Sequence, residues 1–336
     1  MKRPAKILLI FALVLGALAA GVSFTIGWRP ILGPNIRELT SRHFEATQQR
    51  LERGRYLATG LAGCLDCHSQ RDWSGHGAPV IAGTEGAGAE FPITGLPGRV
   101  VAPNITPDAE TGAGTWTDDQ LARAIREGIS HDGRTLFPIM PYTEFHDMSD
   151  EDLASIVVYI RSLPPINHPL PKTEIAFPVK YLIRSVPEPV TGMVASPDPA
   201  NRVEWGKYLA SLGGCSGCHT PQVRGHDIPG GAFSGGSVFE GPWGRVAAAN
   251  LTPDASGISY YDEALFIQTI RTGAVKARKL SPIMPFGVYK NLTDDDLKAL
   301  FAYLRTLKPV KHVVDNTEPP TYCRFCRQSH GGGNSN

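Results

Sequence analysis

The 336-residue chain carries one block of sequence twice, and any fold for it must accommodate that duplication. Gly54-Arg55-Tyr56-Leu57-Ala58 returns as Gly206-Lys207-Tyr208-Leu209-Ala210. Gly63-Cys64-Leu65-Asp66-Cys67-His68 returns as Gly214-Cys215-Ser216-Gly217-Cys218-His219. Gly98-Arg99-Val100 with Asn104-Ile105-Thr106-Pro107-Asp108 returns as Gly244-Arg245-Val246 with Asn250-Leu251-Thr252-Pro253-Asp254. Pro138-Ile139-Met140-Pro141 returns as Pro282-Ile283-Met284-Pro285. The offset between copies slides from 152 residues at the first glycine to 144 at the methionine. Shared order with small changes in loop length means two domains of one fold.

Each copy reads as mostly helical, so the fold class is all-α. A helix leads to the Cys motif. A middle helix starts behind Thr117 as N-cap, carries Leu121 and Ile125, and stops at Gly128; its partner carries Leu265 and Ile270 and stops at Gly273. A last helix starts at Ser149 with Leu153, Ile156, Val157, Ile160 and Leu163 on one face. Its partner starts at Thr293 with Leu297, Leu300, Phe301, Leu304 and Leu307. The expected domains are 45–165 and 199–312. Nine prolines within 164–199 forbid a long regular element, so 166–198 reads as a stiff linker over the surface. Residues 313–336 are polar, end in Gly331-Gly332-Gly333-Asn334-Ser335-Asn336, and are expected to form a flexible tail.

Residues 1–30 read as a membrane segment. Lys2, Arg3 and Lys6 precede a run without charge from Ile7 to Gly27, long enough as a helix to span ~30 Å of hydrocarbon. Trp28 and Arg29 close it, as an interfacial anchor does. Ala17-Leu18-Ala19 offers the competing reading of a cleaved signal peptide. The run is longer than the usual signal core of ~7–15 residues, which favours an uncleaved anchor. The basic N-terminus points inward, so the expected location is a single-pass cell-membrane protein with its domains in the periplasm or an equivalent space.

The chemistry lies in the two Cys-x-x-Cys-His motifs, the attachment pattern of c-type haem. Cysteines three apart share one face of a helical turn, where two thiols reach two vinyl groups. The next residue, His68 or His219, then presents its imidazole to the iron. A second side chain must fill the sixth position, and the matched Pro-Ile-Met-Pro segments supply Met140 and Met284. The flanking prolines are expected to hold that loop extended. Two covalently bound haem c groups are therefore expected, on Cys64, Cys67, Cys215 and Cys218, with His68, Met140, His219 and Met284 on iron. Met148 is a rival ligand, but its counterpart is Leu292, and each directly precedes a helix cap; both fit an apolar staple instead.

Other positions support weaker readings. Arg99 and Arg245 are matched and are candidates to bind haem propionates. Asn104 and Asn250 fit either that role or a turn. Tyr56, Tyr208, Tyr159 and Tyr303 read as core residues. His131, His146, His168 and His226 have no repeat partner and read as surface or loop residues. Cys323-Arg324-Phe325-Cys326-Arg327 has Arg where a proximal His would stand, and Arg cannot ligate iron. A local disulfide is the first expectation there, with a metal site using His330 as the alternative that lacks an obvious fourth ligand.

These motifs resemble the dihaem and multihaem c-type cytochromes that serve as electron-transfer subunits of membrane-bound bacterial dehydrogenases, of the alcohol and gluconate dehydrogenase type. The resemblance covers about residues 45–310 and implies two tandem class-I cytochrome c folds behind the N-terminal transmembrane helix. It implies a non-enzymatic electron carrier. The donor would be a periplasmic dehydrogenase or respiratory complex, and the acceptor a soluble cytochrome or terminal oxidase. Those relatives carry three such domains and this chain has two. A dihaem peroxidase and a dihaem subunit of a terminal oxidase are the alternatives. Lys and Arg number 33 against 32 Asp and Glu, so the net charge of +1 excludes a polybasic nucleic-acid binder.

Overall fold

The computed structural model describes residues 2–333 apart from residue 224. It is mainly helical, with two-stranded β-pairs at its edges. The first helix, α1 (Lys2–Thr25), is long and apolar enough to cross a membrane over Pro4–Thr25, and none of that window is buried. The side chains of Lys2 and Arg3, and residues 334–336 of the expected tail, lie outside the described residues.

The first copy is built on α2 (Gln48–Tyr56), α3 (Asp118–Glu127) and α4 (Asp150–Ser162), and the second on α5 (Arg202–Leu212), α6 (Glu263–Thr272) and α7 (Asp294–Thr306). The caps lie where the sequence places them. Thr117, Ser149 and Thr293 each accept from a backbone N–H in the first turn, and Gly128 and Gly273 end their helices in the left-handed region.

In both copies the first helix crosses the last at a glycine. A Cβ on Gly54 would overlap the carbonyl of Ser155, and one on Gly206 the carbonyl of Ala299. Only a glycine lets the two backbones approach so closely. The helix then delivers the chain to the Cys motif through a left-handed glycine, Gly63 or Gly214, each at φ 58°. Met148 and Leu292 are buried in the core ahead of their helix caps, as the staple reading requires.

The two copies lock together through residues that the sequence assigned to core packing. The Tyr208 hydroxyl donates to Asp152 of the first copy at 2.8 Å and accepts from the Ser149 N–H at 3.1 Å. In the mirror arrangement the Tyr56 hydroxyl donates to Asp296 of the second copy at 2.5 Å and accepts from the Thr293 N–H at 3.1 Å. Each tyrosine thus binds the N-terminus of the other copy's last helix. Burial, reinforced by Asp296, pushes the Tyr56 phenol up to about 12, so it stays a donor at neutral pH. Arg53 braces Asp152, and Trp205 at the matching position donates to Asp296.

Two further segments pack against the copies. The proline-rich linker folds back onto the first copy. Glu174–Ile175 pairs with Gly98–Arg99, and the Asp150 N–H donates to the Val194 carbonyl while the Asp150 carboxylate accepts from the Val194 N–H. The segment after His312 is not loose in its described part. Thr321–Tyr322 pairs with Ser329–His330, and Asn316 bonds both backbone groups of Ala247 in the second copy. Its hold comes from polar and backbone contacts, which a hydrophobic pattern does not register. Ahead of α2, Arg37 reaches Asp119 and Glu127 while the N–H groups of Thr40 and Phe44 bond Asp119 and Asp118. That strap ties the stretch following α1 to α3.

Two substitutions test this packing. In Gly206→Ala, helix propensity favours alanine by about 1 kcal/mol, whereas overpacking costs about 1–3 kcal/mol or more. Thermal unfolding is expected at a lower temperature than in the parent. Tyr208→Phe removes one donor from a buried carboxylate and is expected to cost about 1–3 kcal/mol, with the two copies unfolding in separate steps in calorimetry.

Candidate functional site

Both proximal-type histidines are held the same way. His68 is buried and its Nδ1–H donates to the Pro103 carbonyl at 2.7 Å; His219 is buried and its Nδ1–H donates to the Ala249 carbonyl at 2.7 Å. Pro103 and Ala249 occupy matching places immediately before Asn104 and Asn250. This bond fixes the tautomer and leaves Nε2 with a free lone pair to bind a metal. Burial lowers the pKa of both imidazoles against the opposing pull of the carbonyl, so both are neutral at neutral pH.

Asn104 and Asn250 take the turn role. Each side-chain oxygen accepts from the N–H and hydroxyl of the following threonine, Thr106 or Thr252, and each amide donates to a carbonyl beyond the last helix, Ile166 or Val310. That clamp sets the acceptor carbonyl one residue earlier. The motif was visible in the sequence, but the role of the residue before it was not.

Met140 and Met284 are half-buried against the apolar core. Their segments are tight turns rather than extended loops. Met140 N–H bonds the Phe137 carbonyl and Tyr142 N–H bonds the Met140 carbonyl, and Met284 and Phe286 repeat the pattern with Ser281 and Met284. The first proline of each motif initiates the turn, a place where its fixed φ is favourable.

A cavity of about 880 Å³ runs between the copies. From the second copy it is lined by Cys215, Cys218, His219 and Met284, and from the first by Gly63, Cys67, Pro138 and Ile139. Cys64, His68 and Met140 lie outside its lining. The volume is in the upper part of the range for cofactor sites, about 300–1,000 Å³. With two thiols, a neutral imidazole and a thioether on its wall, the second-copy site fits a covalently held haem.

Contacts cross between the copies at this cavity. Ser216, inside the second Cys motif, donates to Glu144 of the first copy at 2.8 Å. Arg71, paired with Asp66 inside the first Cys motif at 2.8 Å, reaches the Pro282 carbonyl of the second Met turn at 3.5 Å. The matched arginines diverge. Arg99 lies on an exposed strand against the linker, while Arg245 donates to the Gly331 and Ser329 carbonyls at 2.6 and 2.7 Å. Neither lines the cavity, and the Arg245 guanidinium is committed to backbone carbonyls rather than to a propionate. Cys323 and Cys326 are free thiols, not the expected disulfide; each faces an imidazole.

A tandem pair of helical domains, each with a Cys-x-x-Cys-His turn whose histidine is buried and a methionine turn, defines a two-domain haem-binding protein. The family profile for cytochrome c matches residues 51–164 and 203–308, well over half of the chain, and the chain belongs to that family. It carries two cytochrome c domains and binds two haem c groups. It is 29% identical over 319 residues to a nicotinate dehydrogenase subunit from Pseudomonas putida, covering 89% of this chain and 24% of that protein. It is 29% identical to the fructose dehydrogenase cytochrome subunit of Gluconobacter japonicus, covering 82% of this chain and 57% of that subunit. To a diheme cytochrome c-type protein of Cereibacter sphaeroides it is 29% identical, over 74% of this chain and 83% of that protein. The chain thus spans about a quarter of the first of these relatives and somewhat over half of the second.

Glu144 gives this site a pH dependence. Burial raises its pKa above the usual carboxylate range, only partly countered by the Ser216 hydroxyl. As pH rises through that raised value a negative charge appears beside the second Cys motif and stabilises the oxidised state. In a redox titration the second-copy haem is expected to fall in potential as pH rises above the ordinary Glu value of about 4.3. Glu144→Gln is expected to flatten that slope.

Proposed function

We propose that the chain is the electron-carrying cytochrome subunit of a dehydrogenase complex. In this reading it takes electrons from a catalytic partner or respiratory complex and passes them to a soluble cytochrome or a terminal oxidase. The observation that carries this reading is the shared cavity: turns from both Cys motifs face one space, bridged by Ser216–Glu144 and by Arg71. Such an arrangement suits transfer between two centres inside one protein. Relatives named as cytochrome subunits of fructose, alcohol and gluconate dehydrogenases support the partner class.

The residue roles follow from the chemistry of each side chain. Cys64 and Cys67, and Cys215 and Cys218, would form the thioether attachments. His68 with Met140, and His219 with Met284, would hold the two irons. The bound groups supply reversible one-electron exchange between ferric and ferrous iron. The Pro103 and Ala249 carbonyls orient the imidazoles, and the methionine turns hold the half-buried methionines against the core. A thioether and an imidazole together would raise the potential relative to two histidines and leave no open position on the iron. That occupancy disfavours a peroxidase, which needs an open iron. The apolar α1 is read as the anchor, with the lysines and arginine of its N-terminal end on the cytoplasmic side and both haem domains in the periplasm.

Single replacement of Met140 or Met284 by alanine tests the assignment. Each is expected to remove about half of the thioether-to-iron charge-transfer band of the ferric protein and to open one ferrous haem to carbon monoxide. The parent protein is expected not to bind carbon monoxide rapidly. Rapid binding of carbon monoxide at one haem of the parent would overturn the carrier reading in favour of an enzyme.

A further inference from the structure

The segment after the second domain gathers four soft donor side chains at one point. His312, Cys323, Cys326 and His330 place one ligand atom each within 4.8 Å of one another. Cys323 Sγ lies 3.3 Å from His312 Nε2, and Cys326 Sγ lies 2.9 Å from His330 Nε2. In a tetrahedron with metal–sulfur bonds of ~2.3 Å and metal–nitrogen bonds of ~2.0 Å, neighbouring donors sit ~3.5 Å apart. We propose that these four residues bind one zinc ion, as a structural site separate from both haems.

The surroundings are those of a metal site. His312 Nδ1–H donates to the Ser234 carbonyl at 2.9 Å, so its Nε2 lone pair is directed at the thiols. The backbone of Val313 hydrogen-bonds the His330 ring in the same manner. Metal-binding histidines are oriented by such bonds to carbonyls. The two cysteines sit in a tight turn closing the hairpin of Thr321–Tyr322 with Ser329–His330. Arg327 N–H bonds the Cys323 carbonyl, Cys323 N–H bonds the Gln328 carbonyl, and Arg327 takes φ 57°. That left-handed residue turns the chain back behind Cys326, toward the strand that carries His330. Gly236 lies against both imidazoles, where a Cβ would collide with the His312 ring. Two thiolates and two neutral imidazoles balance a divalent cation, and a tetrahedral set of two sulfurs and two nitrogens selects zinc.

The segment has no apolar core of its own. Between 313 and 333 the buried residues are Asn316, Cys326, His330 and Gly331; none is a large apolar side chain, while Val313, Tyr322 and Phe325 are exposed. A unit this small without an apolar core needs a metal or a disulfide. Zinc here would fasten a wall of the haem cavity, since Val314 and Asn316 line it and Arg245 and Ala247 are tied to the same segment.

The test uses the full-length protein with both haems, purified without chelator, with iron as the internal standard. Elemental analysis is expected to give about one zinc for two haem irons, and zinc-edge X-ray absorption two sulfur and two nitrogen neighbours. His312→Gln and, separately, His330→Gln are expected to lose the zinc while keeping both haem spectra, and to expose the segment beyond residue 312 to proteolysis. Zinc at background level in the unmodified protein, or a Cys323–Cys326 disulfide in its mass spectrum, overturns the proposal. Because that measurement needs no variant, a variant that fails to fold does not shield it.

Discussion

Two helix backbones touch in each copy, at Gly54 against Ser155 and at Gly206 against Ala299. The contact is backbone on backbone, so nothing in it can be repacked by a change of rotamer. It fixes the first helix against the last, and the Cys motif begins a few residues beyond. From there a left-handed glycine turns the chain, the histidine falls under a carbonyl from the loop after the motif, and the Asn104 or Asn250 clamp holds that carbonyl in place. The methionine turn lies in the connection to the last helix. The site therefore inherits its geometry from a steric constraint outside it.

Duplication supplied each copy with a partner of its own shape. Tyr56 and Tyr208 reach across to Asp296 and Asp152, and each accepts a bond from the N-cap residue of the other copy's last helix. These bonds bury polar groups in satisfied pairs, which specifies one arrangement of the domains rather than a general apolar contact. A consequence is that the two Cys motifs face one cavity. Symmetry fails at the margins. Arg99 meets the linker, Arg245 meets the terminal segment, and only the second copy has its cysteines, histidine and methionine all on the cavity wall.

Much of this was readable in the chain. The helix caps at Thr117, Ser149 and Thr293 and the stops at Gly128 and Gly273 follow from local chemistry and stand where expected. The Cys-x-x-Cys-His turns and the paired methionine segments were equally plain. The extended form of the methionine segment was wrong because proline begins tight turns as readily as it stiffens extended chain. Tyr56 and Tyr208 read as core because a tyrosine beside a helix crossing has the same periodicity whether it packs inward or reaches a second domain. The segment after His312 read as loose because its contacts are backbone hydrogen bonds and ligand-type side chains, which carry no hydropathy.

The residues alone settle the number of domains, their helices and the chemistry each can perform, because spacing along a helix turn or a capping box is a local matter. They cannot settle which side chains from distant segments converge. His312 and Cys323 are eleven positions apart, and Tyr208 and Asp152 belong to different domains. Arg245 has the same local surroundings as Arg99 but a different neighbour in space. Those meetings depend on the path of the whole chain, set by the glycine crossings and the tyrosine–carboxylate bonds, and only the folded molecule decides them.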